Sequence, residues 1–272
     1  MAVEVAARRR AGSVGALYAR NARSVVARGL KATRSTNWPV ILSGFFEPVF
    51  FLFAMGVGLG TYIGDVTLPS GGSVSYAAYI APALLAVSAM NGAVYDSTNN
   101  VFFRMHFGKL YDAMLTTSLG PLDVAFGEIL TALLRGGVYA VGFLTVMQVM
   151  GLNLAWSAVL AVPAVLLVAF GFASLGMAVT SFMKTIQQLD WVGFVMLPMF
   201  LFSATFYPVT VYPGWLQGII KALPLYQAVE LVRGLTLGVL DAQMLQHVTY
   251  FVVMIALGLT FTTRRLRTLF LG

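Results

Sequence analysis

The sequence predicts an all-α integral membrane protein with six transmembrane helices, and three observations carry that prediction. First, the 272 residues are 59% hydrophobic and 10% charged, with a mean hydropathy of +0.84. A soluble domain needs roughly 25% charged residues to coat its surface. Second, apolar runs recur at about 38–60, 77–95, 124–150, 157–181, 191–207 and 246–263, each near the length of a helix across the roughly 30 Å hydrocarbon layer. Third, Arg8, Arg9, Arg10, Arg20, Arg23, Arg28, Lys31 and Arg34 precede the first run, and Arg264, Arg265 and Arg267 follow the last. The positive-inside rule then places both ends in the cytoplasm and requires an even number of spans. This clustering accounts for the formal charge of +7 without a nucleic-acid partner.

The chain divides into a cytoplasmic basic segment over 1–37, one six-span domain over 38–263 and a basic cytoplasmic tail over 264–272. In the first part, residues 14–36 place Arg20, Arg23, Arg28, Lys31 and Arg34 on one helical arc, with Val14, Tyr18, Ala22, Val25, Val26 and Leu30 largely opposite. That pattern predicts an amphipathic helix on the inner membrane surface; the alternative is a solvated basic tail. Gly56 and Gly60 in the first span form a GxxxG, which permits close helix packing. The loop 61–76, rich in Gly and Pro, reads as a plain connector.

Loops 61–76, 151–156 and 208–245 fall outside, and 96–123 and 182–190 inside. In 96–123, the apolar Phe102, Phe103, Met105, Phe107, Leu110, Met114 and Leu115 alternate with Arg104, His106, Lys109 and Asp112. So many large apolar groups predict a short helix that docks on another protein, the alternative being a helix in the headgroup layer. Segment 208–245 is cut by Pro208, Pro213 and Pro224 into apolar pieces too short to span. Tyr207, Tyr212, Trp215 and Tyr226 suit headgroup level, while Glu230 and Arg233, three apart on a helix, are placed to pair. A re-entrant helical hairpin in the outer leaflet before the last span is the reading; an ordinary loop with one interfacial helix is the alternative.

The chemistry-bearing residues argue against a catalytic centre. With no cysteine there is no disulfide or thiol nucleophile. The pair Gly108-Lys109 is followed by Leu110 where a phosphate loop needs Ser or Thr, and Phe103 stands where its first Gly belongs. His106 and His247 read as loop residues on opposite sides, so no metal-centred hydrolase and no metal site is expected. Asp65 and Asp112 likewise fall in loops on opposite sides, unlike the aspartates of an intramembrane protease. The ionisable residues inside spans are Glu47, Glu128 and Arg135, each costing at least about 2.5–3.5 kcal/mol in lipid. Glu128 and Arg135 share a helix face but lie about 10 Å apart, so each needs partners on other helices or water. A structural pair and a lining role both remain open for them.

Several stretches resemble the permease subunits of ABC exporters, the ABC type-2 membrane domain, in the branch of nodulation-factor (lipochitooligosaccharide) and daunorubicin-type drug exporters. They are Phe46-Glu47-Pro48-Val49-Phe50-Phe51 through Gly56-Val57-Gly58-Leu59-Gly60, Tyr79-Ile80-Ala81-Pro82-Ala83-Leu84-Leu85, and Phe206-Tyr207-Pro208 through Leu223-Pro224-Leu225-Tyr226 to Glu230-Leu231-Val232-Arg233-Gly234. The resemblance implies an interfacial helix, six spans, a coupling helix after the second span and a re-entrant pair before the sixth. It implies a dimer with a second copy or a homologous permease, and two separate ATPase chains that hold ATP and Mg. The location implied is the bacterial cytoplasmic membrane, and the cargo an amphiphilic, lipid-linked, glycolipid or drug-like molecule. Coupling to the ATPase would fall to Phe103, Arg104, Phe107, Lys109, Leu110 and Asp112. The substrate path would be lined by Phe45, Phe50, Phe53, Met90, Phe194, Met196, Met199, Phe202 and Phe206, the alternative being that this stripe serves helix packing or lipid contact. Trp215, Tyr226, Glu230 and Arg233 would build the outer hairpin. Where the family often has an acidic residue near the end of the second span, Tyr95-Asp96-Ser97 stands here. The alternatives are an ATP-independent carrier, which would show an internal repeat, and a membrane-embedded lipid-modifying enzyme, which would need a polar catalytic cluster.

Overall fold

The computed structural model describes residues 24–29, 46, 48–68, 72–108, 110–117 and 119–270. Among the described residues, four helices are long and apolar enough to cross a membrane: Tyr76–His106, Pro121–Val149, Trp156–Thr180 and Gln243–Leu269. Two shorter apolar helices, Pro48–Ile63 and Gln188–Phe202, accompany them, at the places where the sequence predicts the first and fifth spans. We label Pro48–Ile63 α1, Tyr76–His106 α2, Leu110–Leu115 α3, Pro121–Val149 α4, Ala161–Thr180 α5, Gln188–Phe202 α6, Gly214–Ala222 α7, Pro224–Leu237 α8 and Gln243–Phe270 α9. Of the predicted interfacial helix 14–36, only 24–29 is described, and it is helical. The rest lies outside the described residues, as do Phe45, Glu47 and Lys109.

Helix α5 is the axis of the bundle, packing against α9, α2 and α4. Its small residues allow this: Ala164, Ala169, Gly171, Ala173, Ser174, Gly176 and Ala178 are buried and let neighbouring backbones approach closely. At Gly176 an added Cβ would meet the Ser97 hydroxyl oxygen at 2.1 Å, so α2 and α5 touch through that position. In α1, a Cβ on Gly56 would lie 3.3 Å from that of Ala77; the first glycine of the GxxxG thus seats α1 on α2.

Several boundaries differ from the sequence reading. The second apolar run ends at Tyr95, yet the helix continues to His106 through a wide π turn over Asp96–Asn100. Within this turn the Ser97 carbonyl accepts a bond of 3.1 Å from the Thr180 hydroxyl of α5, which provides a partner for a main-chain group at the irregular turn. The connector 61–76 carries a two-stranded antiparallel ladder, β1 (Asp65–Thr67) against β2 (Ser73–Ser75), with Val66 opposite Val74. Both valines pack against the core, a small apolar anchor that the Gly and Pro content obscured. The fifth run, read to residue 207, stops at Phe202. Ala204 adopts φ of 55°, a left-handed conformation incompatible with a continuing right-handed helix.

Helices α7 and α8 meet at Pro224, whose fixed φ suits the first position of α8. Leu225, Ala228, Val229, Leu231, Val232 and Leu235 of α8 are buried, and α8 packs chiefly on α2. The helices alternate in direction, so Arg104 and Arg265 share one end of the bundle, the basic end, while α7 and α8 occupy the other, the hairpin end.

Candidate functional site

Three features stand out along the bundle: a charged node at the basic end, an aromatic surface on α1 and α6, and a polar cavity at the hairpin end.

The node centres on Glu128 of α4, whose side chain is 4% exposed. Asp123, in the first turn of α4, accepts the Gly120 amide at 2.9 Å and fixes the start of that helix. One turn further on, Glu128 pairs with Arg28 from the 24–29 helix through Oε1 and with Arg104 from the α2 extension through Oε2. One buried carboxylate therefore ties together the N-terminal segment, the predicted coupling region and α4. Tyr111 of α3 is buried beside this group. Burial pushes its phenol well above the ordinary range, and the Glu128 charge pushes the same way against the nearby Arg104 and Arg28. The sequence reading left Glu128 to partners on other helices or to water; in the structure Arg28 and Arg104 contact it. Its helix-mate Arg135 lies on α4, with its side chain outside what is described.

The large apolar residues of the 96–123 segment separate by face. Phe102 and Met105 are buried, whereas Phe103 and Phe107 are exposed, with ring centroids 5.4 Å apart. Leu110 is half-buried in α3, which also carries Asp112. His106 closes the α2 extension and stacks on Phe102 at 4.3 Å.

The predicted path residues do not form one group. Phe50 and Phe53 on α1 and Phe194 and Phe202 on α6 are exposed. Met196 and Met199 pack partly on the core. Phe206 rests between Phe51 and Phe200, at 6.2 and 5.2 Å. Met90 is fully buried among the helices. Sequence reasoning passed over Phe51, Phe200 and Trp191, the last 67% exposed; their spacing along the same apolar runs was the available signal. None of the residues of α6 is buried, so this helix has the loosest seat in the bundle.

At the hairpin end Glu230 and Arg233 pair as their spacing predicts, at 2.6 Å. Arg233, only 5% exposed, does more. It donates to the carbonyl of Ala204 at 2.9 Å and to that of Tyr79 at 3.3 Å, and its guanidinium lies 3.9 Å from the centre of the Tyr79 ring. These two carbonyl partners come from the break after α6 and from α2, and no spacing rule links them to α8. Trp215 on α7 is exposed, and Tyr226 lines a cavity of about 710 Å³ with Glu230 and Arg233. His247 is not the loop residue expected: α9 already starts at Gln243, after Asp241 accepts the Gln243 amide at 2.9 Å. Its ring meets the side chain of Gln227.

Span-length apolar helices packed in one bundle, with Glu128 and Arg233 joining separate elements, describe a multi-pass membrane protein. Residues 21–237 match the family described as ABC-2 type transporter, and the chain belongs to that family. It is 31% identical to nodulation protein J of Rhizobium leguminosarum bv. trifolii over 228 residues, 84% of this chain and 85% of that protein. Nodulation protein J of Rhizobium meliloti (strain 1021) is 29% identical over 199 residues, 73% of this chain and 74% of that protein.

Proposed function

We propose that this chain is the membrane subunit of an ATP-driven exporter that moves an amphiphilic, lipid-linked, glycolipid or drug-like substrate out of the cytoplasm or inner leaflet of a bacterial cytoplasmic membrane. In this reading α1 and α6 complete six spans, both termini are cytoplasmic, and α7 and α8 form a hairpin that re-enters the outer leaflet. Two such permeases, identical or homologous, work with two separate ATPase chains, which bind ATP and Mg.

The observation that carries the reading is the Glu128 node. Helix α2 runs unbroken from the hairpin end to Arg104, and Arg104 is held to α4 through Glu128. A partner pushing on the exposed Phe103 and Phe107 therefore moves two spans together, the kind of lever that converts closure of an ATPase pair into rearrangement of a packed bundle. The loosely seated α6, facing outward with α1, supplies an adaptable aromatic and Met surface for a second permease and for an apolar cargo between the two.

Co-purification from native membranes identifies the ATPase. Reconstitution of the complex with a fluorescent long-chain amphiphile should then give ATP-dependent flux. ATP-independent flux by the isolated chain at the same rate would favour a carrier instead.

A further inference from the structure

The cavity at the hairpin end opens between α7, α8 and the start of α9, and the transport reading makes no use of it. Its floor is held together by side chains that are already engaged. Buried Gln227 donates to the Lys221 carbonyl at 2.6 Å and contacts the ring of His247, while Arg233 is engaged by Glu230, Ala204 and Tyr79.

The groups left over are of both signs. Lys221 lines the cavity from the last turn of α7, and among the described residues its ammonium has no acidic partner. Glu230 gives Oε1 to Arg233, and Asp241 gives Oδ1 to the Gln243 amide. Among the described residues, the second oxygen of each carboxylate has no hydrogen bond. With Lys221 and Arg233 set against Glu230 and Asp241, the lining balances in charge but keeps an unspent cation and two unspent anionic oxygens.

Its level is set by the helices around it. The cavity includes the first residues of α9, a helix of spanning length, and is lined by Tyr226, while α7, which lines it through Gln217 and Lys221, also carries the exposed Trp215; both are aromatic types that settle at the headgroup layer. A purely anionic head group entering there meets Glu230 and Asp241, and a purely cationic one meets Lys221. A group bearing a phosphate and an ammonium a few bonds apart satisfies both sets through charge-assisted hydrogen bonds, and the volume lies within the range of small-ligand sites. We propose that this cavity binds the phosphoethanolamine-type head group of a zwitterionic phospholipid, with the phosphate toward Lys221 and the ammonium toward Glu230 and Asp241.

The test uses the full chain in nanodiscs containing equal phosphatidylethanolamine and phosphatidylglycerol, with retained lipid read by native mass spectrometry. Phosphatidylethanolamine should be retained over phosphatidylglycerol by roughly threefold or more, the size expected of one partly exposed charge contact. Lys221→Gln should bring the ratio toward one. Asp241→Asn, which keeps an oxygen to cap α9, should also lower it while leaving thermal stability intact. Soluble phosphoethanolamine provides the remaining arm: failure to stabilise the protein at concentrations where the lipid does places the ligand in the membrane. Equal retention of the two lipids, an unchanged ratio in both variants, or binding of soluble phosphoethanolamine without lipid preference overturns the proposal. Because no arm measures flux or ATP hydrolysis, its outcome is independent of the exporter reading.

Discussion

The guanidinium of Arg233 donates to the main-chain carbonyl of Ala204 at 2.9 Å, joining α8 to the place where α6 breaks. Ala204 sits at φ of 55°, a conformation that costs a non-glycine residue roughly 1–2 kcal/mol, so it requires holding. The Tyr79 hydroxyl reaches the same carbonyl at 3.4 Å. A single cation thus fastens α2, the end of α6 and α8 at the hairpin end.

This arrangement alters what is expected of the Glu230–Arg233 pair. Arg233→Ala should destabilise the purified protein by about 3–5 kcal/mol, the cost of breaking a buried ion pair. Glu230→Gln should be mild, since Glu230 is partly exposed. From pairing alone, the double variant should be milder than Arg233→Ala; with the Arg233 bonds to the Ala204 and Tyr79 carbonyls lost in both, it should be no milder. Thermal unfolding in detergent measures all three, and recovery in the double variant would assign the effect to the ion pair.

Glu128→Gln should insert normally but lose coupling, because two guanidiniums are left without a charged partner at the node. A coupling energy of about 1–3 kcal/mol corresponds to roughly 5- to 150-fold, so ATP-driven flux should fall within that range. Unchanged flux with normal expression would show that the node is only structural.

The α2 extension offers a paired control. Phe107→Asp alters a ring that is 67% exposed, whereas Phe102→Asp buries a charge at a site 2% exposed. The first should abolish stimulation of the ATPase partner and leave a folded, monodisperse protein. The second should prevent accumulation of folded protein, since an unpaired buried charge costs several kcal/mol. Full stimulation by the Phe107 variant would remove this surface from the docking reading.

Re-entry of α7 is best tested at positions that the protein itself does not cover. Ile220 and Val229 are buried by neighbouring helices, so a cysteine there resists reagents in any environment. Trp215 and Ile219 are exposed. Single cysteines at these two positions should react slowly with a membrane-impermeant maleimide if lipid surrounds them, while one at Ser73 should react at once. Equal rates at all three would describe a surface helix instead.

Much of this architecture is legible in composition and periodicity, because burial in lipid demands long apolar helices and charges at their ends. The need of Glu128 for a partner was legible too, as was the i,i+3 spacing of Glu230 and Arg233. The partners themselves were not: Arg28, Arg104, Ala204 and Tyr79 come from distant parts of the chain, and hydropathy carries no information on which helices meet. Met90 shows the same limit, since its place in an apolar run is equally compatible with a cavity wall and with the centre of a bundle. The break at Ala204 was hidden because alanine favours helix, and the Arg233 and Tyr79 groups that meet its carbonyl come from distant helices.

The wide turn over Asp96–Asn100 sets the azimuth of everything beyond it. Each α-helical residue advances about 100° around the axis, so an insertion or deletion of one residue in the turn re-clocks the lower helix by that angle. Arg104, Phe103 and Phe107 would rotate as a block, while Tyr79, upstream of the turn, would keep its bearing on Arg233. The turn is therefore the place where the two ends of α2 are given independent facings, one matched to Glu128 and the other to the hairpin, within a single continuous rod.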